Sequence, residues 1–171
     1  QILPQHAQDP DFVRMFIDEA KICVSLSHGN IVPVYELGKI DGVYFIAMEY
    51  IDGKNLGEIL ERAADARKPL PTQLALHIAM EICKGLDYAH RKTAPDGPLN
   101  IVHRDISPQN IVVTFTGDVK IVDFGIAKSG SQVGEDTKDG QLKGKVPYMS
   151  PEQAQGEAID WRSDIFAAGV M

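Results

Sequence analysis

The sequence predicts a fold of the α+β class, on two observations. Two pairs of short β-rich runs, within residues 31–50 and 111–122, are each separated by a turn with adjacent Asp and Gly residues, which is a typical hairpin signal. Apolar residues that recur three and four positions apart predict amphipathic helices within residues 9–27 and 72–90. With 171 residues, the chain has the length of one domain.

Composition and charge exclude several classes of protein. The chain is 44% hydrophobic and 24% charged, as globular proteins are. Its formal net charge of −7 argues against nucleic acid or an anionic membrane as a partner. No apolar run is long enough to cross a bilayer, and no signal peptide opens the chain. Cys23 and Cys83 have the spacing of neither a disulfide framework nor a metal site, so we expect two buried thiols in a reducing compartment. A cytoplasmic location, or the cytoplasmic side of a membrane protein, is therefore expected.

The first predicted helix follows Asp9-Pro10, because Asp is a favourable N-cap and Pro suits the first helical position. The run His28-Gly29-Asn30 ends it. Glu19 borders the apolar stripe of this helix, and its position alone is as typical of a solvated flank as of a functional carboxylate. Two strands follow, at residues 31–37 and 43–50. The apolar stripe of the helix consists of Val13, Phe16, Ile17, Ala20 and Val24.

The second half of the chain is predicted to be mainly helical. A short polar helix at 55–68 precedes a core helix, in which His77 and His90 are expected to be structural residues and not ligands. The Pro- and Gly-rich stretch 91–100 is predicted to be a surface loop without a catalytic role. A last helix begins near Trp161. The apolar stripe of the core helix consists of Leu74, Ile78, Ile82, Leu86 and Ala89.

Three polar residues between positions 101 and 125 form the candidate site. The second hairpin joins residues 111–114 and 119–122, so it brings Asp123 back beside Asn110. An amide and a carboxylate placed together can ligate a hard cation such as Mg²⁺. Asp105, five residues before Asn110, is then placed to act as a base. These residues together suit phosphoryl chemistry.

The same residues carry a family resemblance. The run HRDISPQN at residues 103–110, followed by Asp123-Phe124-Gly125, resembles the catalytic loop and the metal-binding motif of eukaryotic-type (Hanks-type) protein kinases, in the bacterial style. The resemblance implies a truncated two-lobe kinase fold and transfer of phosphate from ATP to protein hydroxyls. It makes Asp105 the base and gives Mg²⁺ to Asn110 and Asp123. The Ser107-Pro108 pair follows the serine/threonine pattern, so Ser/Thr acceptors on proteins are expected.

The resemblance also divides the chain into parts. It implies a remnant of the small lobe at 1–47, a hinge at 48–54, an incomplete large lobe at 55–171 and an activation loop at 123–152. The expected nucleotide-binding residues are Met48 as gatekeeper, the backbone C=O of Glu49 and N–H of Ile51 on the adenine edge, Val112, and Glu19 as partner of a phosphate-binding lysine.

Regulatory and structural roles follow from the same comparison. Arg104 would receive a phosphorylated activation loop, in which Thr137 is the candidate acceptor, with Ser129 and Ser131 behind it. The run Ser150-Pro151-Glu152 takes the place of the family's Ala-Pro-Glu motif. The expected structural residues are His103, Phe124, Glu152 and Asp164, the last as a brace of the catalytic loop.

Two departures from the family pattern form a pair. Serine/threonine relatives carry a lysine two residues after the catalytic Asp, where this chain has Ser107. They carry a threonine after the glycine of the later loop, where this chain has Lys145 after Gly144. The hypothesis is an exchange, in which Lys145 supplies the catalytic cation that position 107 lacks. The alternative is that both contacts are lost and the enzyme is slow.

The chain is expected to be a piece of a longer domain. Gln1 is not a start methionine, and Met171 falls inside an apolar helical pattern. The glycine-rich loop and strand lysine of the resemblance are not in the chain, so the isolated segment is expected to be inactive. A pseudokinase module that binds nucleotide or a partner is the main alternative. A small-molecule phosphotransferase is disfavoured by the activation-loop length and the Ser-Pro-Glu ending.

Overall fold

The computed structural model describes residues 10–124 and 146–171, and its elements follow the predicted order. The helices are α1 (Pro10–Ser25), α2 (Leu56–Asp65), α3 (Thr72–His90), α4 (Pro151–Gln155) and α5 (Trp161–Val170). The strands are β1 (Val34–Ile40), β2 (Val43–Met48), β3 (Gly53–Asn55), β4 (Thr93–Ala94), β5 (Gly97–Pro98), β6 (Ile111–Thr114) and β7 (Val119–Ile121). Short 3₁₀ turns occupy Pro108–Asn110 and Val146–Tyr148. None of the helices in the described ranges has the length and apolar character needed to cross a bilayer.

The β1–β2 hairpin has the predicted turn. Asp41 and Gly42 both adopt positive φ, at 50° and 84°, which is the backbone conformation that a tight two-residue hairpin requires. Ile40 therefore pairs with Val43, and the antiparallel ladder continues to Val34 opposite Met48. The first strand begins three residues later than predicted, because Ile31 and Val32 are bonded to Ile121 instead.

The segment that follows α1 is hydrogen-bonded to the second hairpin. Ile31 forms a parallel bridge with Ile121, and the N–H of Val32 donates to the C=O of Ile121 at 3.0 Å. The Asn30 side chain donates to the C=O of Val119 at 3.0 Å and to Glu81 of α3 at 2.8 Å. The buried Asn30 amide thus joins the segment that follows α1 to α3 and β7.

The hairpin that carries the candidate site lies in a three-stranded antiparallel sheet, in the order β3-β6-β7. Ile111, Val119 and Ile121 are fully buried beneath it. Helix α3 packs against β7 at Gly85, where an added Cβ would come within 2.8 Å of Ile121. The core therefore lies directly under the strands that position the site.

Three residues that the helical pattern places on buried faces, Cys83, Leu74 and Val24, are exposed, so these predictions are wrong. Cys23 is buried, but Cys83 is exposed on α3. Leu74 and Val24, both placed in apolar stripes, are 51% and 44% exposed. The face of α3 that is buried carries Ile78, Ile82, Gly85, Leu86 and Ala89, and Cys83 points away from it. The predicted loop 91–100 contains a two-residue ladder between β4 and β5.

Candidate active site

The loop before β6 brings two of the predicted residues into direct contact. The side-chain amide of Asn110 donates to the backbone C=O of Asp105 at 2.7 Å and to its carboxylate at 2.8 Å. The 3₁₀ turn at Pro108–Asn110 makes this possible, because the N–H of Asn110 donates back to the C=O of Ser107 at 2.9 Å. Buried Ile101 and Ile106 fix the loop to the core. The Asp105 carboxylate is therefore oriented by an amide five residues away.

The hairpin places Asp123 beside this pair. The N–H of Val122 donates to the C=O of Asn110 at 3.0 Å, so Asp123 is the next residue along from a direct backbone contact. The predicted hairpin geometry is confirmed at this point. Asp123 has φ of 58°, a left-handed conformation that is strained for a residue other than glycine, and its side chain is exposed.

His103 joins the loop to the strand that precedes Asp123. It is fully buried, its Nε2 donates to the C=O of Val122 at 3.0 Å, and its Nδ1 accepts from the N–H of Asp105 at 3.3 Å. Burial lowers the pKa of His103, partly opposed by nearby Asp164. A neutral ring with its proton on Nε2 satisfies both hydrogen bonds. The ring also packs against Phe124, with the ring centres 4.6 Å apart.

Asp164 of α5 is hydrogen-bonded to the backbone of the loop. Its carboxylate is buried and accepts hydrogen bonds from the N–H of His103, the N–H of Arg104 and Nε2 of His90, each at 2.8 Å. Arg104 has φ of 67°, so its backbone is strained where Asp164 holds it. His90, expected to be structural, connects α3 to this carboxylate.

The segment after β2 presents backbone groups that are available to a ligand. The N–H of Glu49 donates to the C=O of Pro33 at 3.0 Å. By contrast, the C=O of Glu49 and the N–H of Ile51 form no hydrogen bond within the part of the chain that the structure describes. Met48 is 40% exposed, and it lines a small cavity together with Asp123 and Cys23. Val112 is half-buried in β6, opposite Asn55.

The oxygen atoms of the site fit Mg²⁺. Because the amide nitrogen of Asn110 is used by Asp105, its amide oxygen remains available, and the exposed Asp123 carboxylate lies nearby. Among the described residues there is no cluster of three or more His, Cys, Asp or Glu side chains suited to a metal. One carboxylate and one amide are too few to enclose Mg²⁺, which in nucleotide sites takes further oxygens from phosphates and water. The donor set therefore suits a cation that arrives with a nucleotide.

Of the remaining predicted site residues, some lie within residues 10–124 and 146–171 and some lie outside them. Glu19 lies in α1, but its side chain is outside the described set. Lys145, Thr137, Ser129 and Ser131 lie outside the described residues. Ser107 is buried, and its hydroxyl has no hydrogen-bond partner among the residues described.

The segment 150–163 contains a contact of Glu152, which was expected to be structural without a named partner, and a contact of Gln153, which was not expected. Glu152 accepts a 2.5 Å hydrogen bond from the Ser163 hydroxyl of α5, which lowers the pKa of Glu152. Gln153, which the sequence analysis missed, donates from Nε2 to the C=O of Arg104 at 2.9 Å. The spacing Ser150-x-x-Gln153 is the capping-box signature and indicated the local role of Gln153, but not this distant contact.

Comparisons with known proteins agree on one family. The family model described as protein kinase domain matches residues 2–171. The tyrosine-protein kinase MasK of Myxococcus xanthus is 46% identical over 171 residues, covering 99% of this chain and 26% of MasK. The serine/threonine-protein kinase PrkC of Bacillus subtilis is 40% identical over 166 residues, covering 97% of this chain and 24% of PrkC. The chain thus spans about a quarter of the length of these curated relatives.

A solved structure shows the same fold. The crystal structure of the PknI kinase domain from Mycobacterium tuberculosis matches with a TM-score of 0.71 and 30% sequence identity. The match covers 97% of this chain and 57% of that chain. The kinase-like α+β fold predicted from the sequence is therefore confirmed.

Proposed function

This chain belongs to the protein kinase family, as part of a bacterial Hanks-type kinase domain, and from that premise we propose that the protein transfers the γ-phosphoryl group of ATP to Ser and Thr hydroxyls of protein substrates. The observation that carries the proposal is the contact between Asn110 and Asp105, with Asp123 one residue beyond a backbone bond to Asn110. A base and two cation ligands in one place are what phosphoryl transfer needs from a protein.

Asp105 orients the acceptor and takes its proton. The transition state of phosphoryl transfer is loose and highly charged, so the protein acts mainly through position and charge. The Asn110 amide holds one carboxylate oxygen of Asp105 at 2.8 Å, and the N–H of Asp105 is held by His103. Both bonds restrict the directions in which Asp105 can face an acceptor hydroxyl.

Asn110 and Asp123 would hold Mg²⁺, which when bound neutralises charge on the ATP phosphates. The available C=O of Glu49 and N–H of Ile51 suit the edge of adenine, between Met48 and Val112. Glu19 would pair with a lysine from outside this chain.

These roles follow the proposed division of the chain into a small-lobe remnant (1–47), a hinge (48–54) and an incomplete large lobe (55–171). Because the proposed reaction uses ATP, we expect the domain to act in the cytoplasm. The segment alone is expected to be inactive.

The acceptor class has two candidates. Ser107-Pro108 follows the serine/threonine pattern, and PrkC is named a serine/threonine kinase. MasK, which is 46% identical, is named a tyrosine kinase. Tyrosine is therefore the second candidate acceptor, and the identity of the phosphorylated amino acid distinguishes the two.

The exchange of Ser107 and Lys145 belongs to the same proposal. The buried Ser107 hydroxyl has no partner within residues 10–124 and 146–171, which is compatible with a partner in the adjoining segment that holds Lys145. Lys145 would then bring its charge to the γ-phosphate. Arg104 and Thr137 would serve regulation, with a phosphorylated Thr137 paired to the Arg104 guanidinium.

The test uses the full-length protein with radiolabelled ATP, followed by phosphoamino-acid analysis. Asp105→Asn is expected to lower phosphate transfer about 10²–10⁴-fold while ATP binding remains, because only the base is lost. Asp96→Asn, in the exposed turn between β4 and β5, is the matched control and should leave transfer unchanged. A wild-type protein that binds ATP without transferring phosphate would establish the pseudokinase alternative and end the proposal.

A further inference from the structure

Gln153 lies at a junction between two parts of the site. Within α4 it forms a capping box with Ser150: its Oε1 accepts from the N–H of Ser150 at 3.1 Å, and its N–H donates to the Ser150 hydroxyl at 3.3 Å. Its Nε2 donates to the C=O of Arg104 at 2.9 Å, across a separation of 49 residues. One side chain therefore caps a helix and bonds the loop that carries Asp105.

The backbone of Arg104 is held on both of its polar groups. Its N–H donates to Asp164 at 2.8 Å, and its C=O accepts from Gln153 at 2.9 Å. Its φ of 67° is in the left-handed region. This conformation is unfavourable for a residue other than glycine, so surrounding contacts must maintain it. The C=O of Arg104 belongs to the same peptide plane as the N–H of Asp105, since a peptide group is planar. Fixing that carbonyl fixes the N–H that donates to His103 and sets the direction in which Asp105 leaves the backbone.

We propose that Gln153 is a positioning residue for Asp105, which transmits the placement of α4 to the catalytic loop through the Arg104 carbonyl. The inference rests on the proposed function of Asp105 as the base. Helix α4 directly follows residues 146–150, at the end of the segment proposed as the activation loop, so the contact makes the orientation of Asp105 depend on where that end of the segment lies.

A single substitution separates the two tasks of Gln153. The capping box needs only an acceptor at this position, and glutamate supplies one. The bond to Arg104 needs an N–H donor, which glutamate lacks at neutral pH. Gln153→Glu therefore keeps the bond from the N–H of Ser150 and removes the hydrogen bond to the C=O of Arg104. Gln153→Met, of similar length, removes the bond to Arg104 and also the bond that Oε1 accepts from the N–H of Ser150, while the N–H of residue 153 can still donate to the Ser150 hydroxyl. Gln155→Glu, exposed on the same short helix, introduces the same charge change without either contact.

The experiment measures steady-state kinetics and thermal unfolding of the full-length protein and these three variants. Gln153→Glu is expected to lower kcat roughly tenfold, because loss of orientation acts on turnover. Its KM values for ATP and for a peptide acceptor should stay within about twofold of wild type, and its Tm should match that of Gln155→Glu. Gln153→Met should show the same loss of kcat with a lower Tm, because the N–H of Ser150 loses its acceptor as well. An unchanged kcat in Gln153→Glu, or a raised KM with unchanged kcat, overturns the inference.

Hydrogen exchange provides a readout that does not need activity. The N–H of Asp105 should exchange faster in Gln153→Glu than in Gln155→Glu, because the peptide plane before it is no longer held. Equal exchange rates in the two variants overturn the inference even where kcat falls. If the wild-type protein transfers no phosphate, the proposed function fails, and a faster exchange of Asp105 in Gln153→Glu still supports the role of the hydrogen bond from Gln153 to Arg104.

Discussion

The loop at 101–110, proposed as the catalytic loop, and the segment after β2, residues 48–53, differ in how their backbones are held. In the loop, the N–H groups of His103, Arg104 and Asp105 all donate to side chains, and the C=O groups of Arg104 and Asp105 accept from side chains. In the other segment, the N–H of Glu49 donates to the C=O of Pro33, and the C=O of Asp52 accepts from the N–H of Phe115 at 3.2 Å. Between these two bonds, the C=O of Glu49 and the N–H of Ile51 have no hydrogen-bond partner among the described residues. Tyr50 in that segment is 87% exposed.

Under the proposed function, this difference corresponds to two kinds of recognition, of an acceptor hydroxyl and of adenine. A base acts on a hydroxyl only within a narrow range of positions, so its backbone must be fixed before the substrate arrives. A flat adenine edge needs one donor and one acceptor that are not already used, so the backbone there must leave them open. Arg104 in the loop and Asp123 after β7 both have strained backbone conformations, which persist only where surrounding contacts maintain them.

The largest expected effect is that of removing Asp164, whose buried carboxylate accepts from the N–H groups of His103 and Arg104 in the loop. Asp164→Ala leaves two buried N–H groups and His90 without their acceptor. We expect the free energy of unfolding to fall by about 3–5 kcal/mol, because unsatisfied buried donors are costly. Chemical denaturation of the full-length protein measures it.

Asp160→Ala is the matched control for this prediction. Asp160 caps the N-terminus of the same helix, where it pairs with exposed Arg162. Its loss should be clearly smaller, because its partners remain in contact with water. Similar losses for the two variants would show that the loop does not depend on Asp164, and the contrast drawn above would not hold.

Lys145 gives the next largest expected effect. It concerns the buried hydroxyl of Ser107, which has no hydrogen-bond partner among the described residues. Lys145→Ala is expected to lower kcat about 10²–10³-fold, as the loss of one electrostatic contact to the transition state does. The double variant Ser107→Lys, Lys145→Thr should recover much of that loss, since it restores the arrangement of the serine/threonine relatives. Lys143→Ala, two residues earlier, is the control. Turnover that survives Lys145→Ala would show that the exchange hypothesis is wrong.

The parts of the site that local sequence could predict are those held by neighbours in the chain. Asn110 and Asp123 come together because a hairpin with a Gly-Asp turn folds between them, and hairpin geometry follows from short-range signals. The turn at Asp41-Gly42 was predictable for the same reason. The kinase-like fold followed from the resemblance of the HRDISPQN and Asp-Phe-Gly runs.

Contacts across long separations were not accessible in this way. The bond from Gln153 to Arg104 spans 49 residues, and the capping-box pattern accounts only for the local part of its role. Helical periodicity places Cys83 among apolar residues, but it does not specify which face meets the core, and the face opposite Cys83 is the buried one. Ile31 and Val32 are typical strand residues, yet they are bonded to Ile121, and the first strand is therefore Val34–Ile40.

The smallest expected effect comes from changing one backbone amide in the segment after β2, residues 48–53. Replacing Ile51 by its α-hydroxy acid changes the amide to an ester and removes the N–H, with the side chain kept. ATP should then bind roughly five- to tenfold more weakly, the value of one hydrogen bond, because this N–H is proposed to contact adenine. The free energy of unfolding should not change, because the N–H of Ile51 donates to nothing in the described protein. Calorimetric titration and denaturation of the full-length protein measure the two quantities.

The same replacement at Glu49 is the control, because its N–H is already bonded within the fold. The ester at Glu49 removes the hydrogen bond to Pro33, so it should lower the free energy of unfolding by about 1 kcal/mol. Its effect on ATP affinity should be the smaller of the two, since only the C=O of Glu49 is proposed to face adenine. Opposite responses at positions two residues apart would show that the segment separates its folding contacts from its ligand contacts. A loss of stability at Ile51 with unchanged ATP affinity would mean that this N–H serves the fold, and the hinge would then resemble the catalytic loop.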